Sequence, residues 1–154
     1  APRGGKSTLH WVGVHGGAGE STLAIAMPGS TAAGHGWPVE PSGPGGTPIP
    51  VPVVLVARSH GTGLIAAQNA LREWAAGAAA PARLLGLVVI ADSPVRLPKE
   101  LREMQRLVAG GAPNFWTIPY LDSLRLGPDE LSIATLDARV NRVRRAIQTL
   151  IDNL

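Results

Sequence analysis

Short unbroken apolar runs alternate along this chain with longer segments whose apolar residues recur every three or four positions. The runs at 9–14 (L-H-W-V-G-V), 50–57 (P-V-P-V-V-L-V-A) and 84–91 (L-L-G-L-V-V-I-A) have the length of strands. They lack the in-and-out alternation of a sheet with one wet face, so they predict strands covered on both sides. Residues 115–118 (F-W-T-I) predict a fourth, shorter strand. Between them, residues 63–77 place Leu64, Ala67, Leu71 and Trp74 on one helical face, and residues 99–108 do the same with Leu101, Met104, Leu107 and Val108. Alternating strands and helices predict an α/β fold, a three-layer, mostly parallel sheet with flanking helices.

Residues 129–153 predict the longest helix, with an apolar stripe through Leu136, Val140, Val143, Ile147, Leu150 and Leu154. Arg139, Arg142, Arg144 and Arg145 form a basic cluster beside it. Three roles are open for this helix: packing on the sheet, an interface with a protein partner or a second copy, and contact with nucleic acid or an anionic membrane. Residues 29–50 carry G-H-G-W-P and P-S-G-P-G-G-T-P, which are poor material for helices and central strands. They predict an irregular insertion, either mobile or partner-binding, with an edge strand around 37–39. A chain of 154 residues with no linker is expected to form one compact domain over 1–154.

The candidate chemistry lies just after the first predicted strand, where residues 13–22 read G-V-H-G-G-A-G-E-S-T. Gly16, Gly17 and Gly19 allow a tight turn that directs N–H groups around an anion, and the run from Ser21 can start a helix whose positive end faces the same point. Against the phosphate-loop form K-G-G-x-G-K-[ST], His15-Gly16-Gly17-Ala18-Gly19-Glu20-Ser21 matches every glycine and the hydroxyl and misses both lysines.

This pattern resembles the ParA/MinD group of deviant-Walker P-loop ATPases, in a degenerate, actinobacterial-type form. The resemblance is strongest over residues 9–26 and extends to about 124. It implies a P-loop NTPase-like fold and ATP or ADP with magnesium as ligand. The implied nucleotide contacts run from His15, Gly16, Gly17, Ala18, Gly19 and Glu20 to Ser21 and Thr22, with Ser21 matching the metal-binding hydroxyl. His15 and Glu20 stand at the two lysine positions. A carboxylate near the outer phosphates repels them, so turnover is expected to be impaired and the protein to act as a pseudo-ATPase or nucleotide-sensitive interaction module. Glu20 can instead bond the loop's own N–H groups or pair with a basic partner. Two alternatives stand beside this reading: an active Mg-ATPase with a cation supplied from elsewhere, for which Lys6 in G-K-S-T at 5–8 is one candidate, and a structural adaptor using the C-terminal helix.

Polar residues after the other strands add candidates. Asp92, in D-S-P, sits at the sheet edge where ligands bind in open α/β folds, or simply caps a turn; the resemblance implies that it orders magnesium as a Walker B aspartate does. Arg58 and His60, in R-S-H-G-T-G, offer anion or partner contacts, with Ser59 or Thr62 as helix cap. The resemblance implies that Tyr120, in the loop where related ATPases cradle the base, stacks on it, with local packing as the alternative; Arg139, Arg142 and Arg145 are candidate partner contacts.

Composition narrows the field. With 14 Lys/Arg against 11 Asp/Glu the net charge is +3, which permits anion binding without arguing for nucleic acid. The absence of cysteine excludes disulfides and thiolate chemistry. No membrane-length apolar stretch or secretory signal is visible, so a cytoplasmic protein is expected, with a processed or trimmed start at Ala1. The four histidines show no zinc spacing, and neither Ser59 nor Ser93 lies in a nucleophile elbow.

Overall fold

The computed structural model describes residues 8–38, 51–79, 82–121 and 138–154. Five strands, β1 (His10–Gly13), β2 (Thr31–Ala32), β3 (Val51–Arg58), β4 (Ala82–Ile90) and β5 (Phe115–Ile118), form one sheet in the order β2-β1-β3-β4-β5. Every pairing is parallel. Among the described residues, four helices accompany them: α1 (Glu20–Ala26), α2 (Gly61–Ala75), α3 (Lys99–Ala109) and α4 (Ala138–Asp152). The expected α/β architecture, a parallel sheet with flanking helices, is what the chain adopts. Its strand order is that of flavodoxin-like doubly wound sheets, in which the winding reverses between β1 and β3.

Side-chain alternation sorts the core into two layers. Val54 and Val56 of β3, with Val88 and Ile90 of β4, meet Leu23 of α1 and Val140, Val143, Ile147 and Ile151 of α4 on one face. Val53, Leu55 and Ala57, with Leu87 and Val89, meet Leu64, Ala67 and Leu71 of α2 and Val108 of α3 on the other. Residues 51–57 are entirely buried, as a central strand covered twice must be. Each fully buried Val, Leu or Ile contributes roughly 1.5–3 kcal/mol relative to exposure, so four such residues fasten α4 to the sheet.

β4 carries one extra residue. Val53 pairs with Leu84 and Val54 with Gly86, leaving Leu85 bulged. The Leu85 carbonyl accepts a bond from Asn114 Nδ2 at 2.8 Å, which draws the start of β5 onto the bulge. A Cβ on Gly86 would lie 2.6 Å from both the Asn114 carbonyl oxygen and the Trp116 ring, so glycine is what lets the edge strand close.

Three expectations are corrected. The edge strand forms at Thr31–Ala32 rather than around 37–39. The two-turn α1 ends at Met27, Gly29 takes a positive φ of 90°, and Ser30 Oγ, donating to the Met27 carbonyl at 2.6 Å, accepts from Trp11 Nε1 at 2.8 Å. The chain therefore returns to β1 early, and Trp37 instead donates to Glu73 on α2 at 3.1 Å. On α3, Leu107 points outward, 76% exposed, while Val108 is buried. On α4 the stripe passes through Ile151 rather than Leu154, which is 52% exposed. Val39, Leu136, and the expected elements at 39–50 and 129–137 lie outside the described residues. Among the described residues, no helix is long and apolar enough to cross a membrane.

Candidate functional site

The glycine loop occupies the carboxyl end of β1, facing the end of β3 across the point where the winding reverses. In open α/β sheets that crevice is the usual ligand site. Gly17 and Gly19 adopt φ of 77° and 107°, which a residue with a Cβ rarely accepts. Val14 N–H extends the ladder to the Val56 carbonyl at 3.0 Å, and the helical bonds resume with Leu23 N–H to the Gly19 carbonyl at 3.1 Å. Between these two points, no backbone N–H of residues 15–22 donates to a backbone carbonyl among the described residues. A glycine turn with such a run of uncommitted donors is what an anion requires of a backbone.

Arg58 at the end of β3 and the loop's own His15 lock this loop. Arg58 N–H donates to His15 Nε2 at 2.9 Å, and His15 Nδ1 bonds the Gly16 carbonyl at 2.8 Å, a pattern that requires the Nδ1–H tautomer. Both ring nitrogens are thus committed to backbone, Nε2 to β3 and Nδ1 to the loop, and His15 ties the two together. The Arg58 guanidinium lies on the turn itself: Nε donates to the Gly17 carbonyl at 3.2 Å, and the outer nitrogen lies 3.6 Å from where a Gly19 Cβ would stand. His60 caps α2 by accepting the Gly63 N–H at Nδ1, 2.9 Å away, which leaves Nε2 as its protonated nitrogen. This corrects the expected cap at Ser59 or Thr62. Ser59 is buried and its hydroxyl accepts the Asp92 N–H at 3.0 Å, because strand pairing runs on past Arg58.

Glu20 does not reach out over the loop. It is only 8% exposed, and its carboxylate packs on the bare Cα of Gly13, where a Cβ would fall 2.4 Å from Oε2. Oε1 lies 3.8 Å from His35 Nδ1, which donates to the Gly13 carbonyl at 3.0 Å. Of the placements open from sequence, the one adopted sets Glu20 beside a histidine, and the two form an ion pair when that imidazole is protonated. His35 is half exposed, so the pair is worth no more than about 1 kcal/mol.

A cleft of about 1170 Å³ adjoins the loop along the ends of β3, β4 and β5. Ser59, His60, Asp92, Tyr120, Arg139 and Arg142 line it, and the His60 ring, 4.9 Å from that of His15, joins it to the glycine loop. The structure thus gathers Arg58 and His60 at the loop, and Asp92, Tyr120, Arg139 and Arg142 along the cleft. Ser21 and Thr22 lie on the first turn of α1, Ser21 exposed. Arg145 is exposed and does not line the cleft. Lys6 lies outside the described residues. Among the described residues, no three His, Asp or Glu side chains converge as a metal site.

Arg58 is legible in the sequence as an anion contact, but its seat on the loop is not, and nothing local in the sequence places His35 beside Glu20. The signal for Arg58 is its register: Gly13 pairs with Val56, so the residue two further along β3 stands beside the turn. That pairing partner is not legible from a single sequence.

Residues 7–144 match DUF6668, a family of unknown function, and the chain belongs to that family. No curated protein and no solved structure matches it.

Proposed function

We propose that this DUF6668 member is a degenerate ParA/MinD-like P-loop protein, a pseudo-ATPase that binds ADP or ATP in the crevice between β1 and β3 and relays occupancy to a protein partner. The observation that carries this reading is the Arg58 guanidinium seated on the Gly17 and Gly19 turn, beside backbone donors that have no backbone acceptor among the described residues. Arg58 would pair with phosphoryl oxygens, and the residue 15–22 amides would cradle them. Magnesium would be carried in by the nucleotide, with the exposed Ser21 hydroxyl on the first turn of α1 as its protein ligand. Glu20, folded onto Gly13, leaves room for the anion but supplies no cation to a transition state, which supports binding without efficient turnover.

Calorimetric titration with ATP and ADP, with and without magnesium, tests the proposal. Saturable binding is expected, and Arg58→Ala should weaken it about tenfold or more, the loss of one charge-assisted bond of roughly 1.5–3 kcal/mol. Binding of neither nucleotide by the folded wild-type chain would refute it. Steady ATP turnover abolished by Arg58→Ala would instead identify Arg58 as the compensating cation of an active enzyme.

A further inference from the structure

Arg58 and His60, at the end of β3 and the start of α2, hold the glycine loop from one side. The Arg58 amide fixes His15, and the His60 ring lies against that of His15, with centroids 4.9 Å apart and planes tilted by 51°. Both rings close over the bare Cα of Gly63, where a Cβ would stand 3.0 Å from His15 Nε2 and 3.1 Å from His60 Cε1. Packing therefore holds the His60 side chain beside the loop, in addition to its bond from the Gly63 N–H.

That bond occupies one nitrogen of the ring. Nδ1 accepts, so the proton sits on Nε2, and the two nitrogens of an imidazole point in divergent directions. Nε2–H is consequently turned away from the first turn of α2. It has no acceptor among the described residues, and the ring that carries it borders the cleft where the cleft joins the glycine loop. His15 differs in this respect, because both of its nitrogens are bonded to backbone.

We propose that His60 is a phosphoryl contact of the nucleotide crevice, a neutral imidazole that donates Nε2–H to a phosphoryl oxygen while Nδ1 keeps the cap on α2. An anion accepting from Nε2–H pushes electron density toward Nδ1 and makes it a better acceptor. Occupancy thus strengthens the Gly63 bond and is felt at the start of α2. An imidazolium would forfeit that cap, so His60 serves as a dipole of fixed tautomer beside the full charge of Arg58. The inference rests on the nucleotide reading, to which it adds a contact and a route from ligand to helix.

The test uses the full chain, inorganic pyrophosphate and ADP. In NMR of the imidazole nitrogens, His60 is expected as the Nε2–H tautomer. Its Nε2 and the Gly63 amide proton should shift along the same saturation curve as the Gly17 and Gly19 amides. Two substitutions separate the roles of the ring. His60→Asn places an acceptor where Nδ1 stands and nothing where Nε2 stands, so it should keep the cap and the unfolding midpoint and bind ADP about tenfold more weakly. His60→Gln reaches the Nε2 position with an amide N–H and lacks the cap, so it should unfold at a lower temperature yet bind ADP more tightly than His60→Asn. Equal ADP binding by wild type and a folded His60→Asn chain overturns the contact and leaves the nucleotide reading standing. So does a saturated wild-type complex in which Nε2 has not moved or Nδ1 carries the proton. Binding of neither probe by the folded wild-type chain overturns both. Should His60→Asn not fold, the Nε2 shift in the wild-type titration decides alone.

Discussion

Glu20→Lys is expected to raise affinity for ATP about tenfold or more while lowering stability. At an effective dielectric near 20, a unit charge about 8 Å from a phosphoryl charge is worth roughly 2 kcal/mol, and the substitution reverses its sign. Screening and the mobility of a long side chain reduce the gain, but a tenfold change needs only about 1.4 kcal/mol. The cost arises where Glu20 now sits. Its carboxylate is buried on Gly13 with His35 beside it, and an ammonium there would face a histidine instead of a carboxylate. The lysine must leave that niche, at about 1 kcal/mol, or roughly 2–4 °C in the unfolding midpoint for a domain of this size. Calorimetry and thermal unfolding read the two effects separately. Unchanged or weaker ATP binding by a folded Glu20→Lys chain would remove Glu20 from the electrostatic account. Combining the change with Arg58→Ala shows whether a loop lysine can replace the arginine.

Gly63→Ala should both destabilise the fold and weaken nucleotide binding. A Cβ at Gly63 would stand 2.4 Å from the Arg58 carbonyl oxygen, 3.0 Å from His15 Nε2 and 3.1 Å from His60 Cε1. Backbone cannot yield to such a contact as a flexible side chain does, so α2 must lift from β3, at about 1–3 kcal/mol. The displaced groups are the ones that hold the site together: the His15 bond to Arg58, and the cap from Gly63 to His60. Gly61→Ala is the control. Its nearest neighbour would be Leu101 Cδ2 at 3.9 Å, and alanine within a helix is favoured over glycine by roughly 0.5–1 kcal/mol. Urea unfolding followed by circular dichroism compares the pair, and a Gly63→Ala chain as stable as Gly61→Ala would contradict the close approach of α2 to β3.

Legibility varied along the chain for identifiable reasons. Residues 115–118 form β5 with the boundaries their composition predicts, and β3 and β4 fall within two residues of theirs. Apolar runs bounded by polar or glycine-rich segments have few other ways to be buried. The helical stripes were readable in phase but not in detail. A repeat of alternating three and four residues averages 3.5, while the helix turns every 3.6, so by the end of α4 the buried position has drifted to Ile151. On α3, Val108 completes the inward face, and Leu107, one step of about 100° away, is left in solvent.

The glycine pattern, the missing lysines and the alternation of strands and helices are properties of neighbouring residues, and local sequence determined them. Gly17 and Gly19 turn as their spacing requires, because backbone sterics act over one or two residues. Which strand lies beside β1 is a different kind of fact. Pairing with β3 brings Arg58, 41 residues from Gly17, onto the loop, and the early return through Thr31 brings His35 to Gly13 and Glu20. Those encounters depend on strand order and on contacts between distant segments, which only the folded chain decides. The charge surrounding the turn is therefore a tertiary property, even though the turn itself is written in consecutive residues.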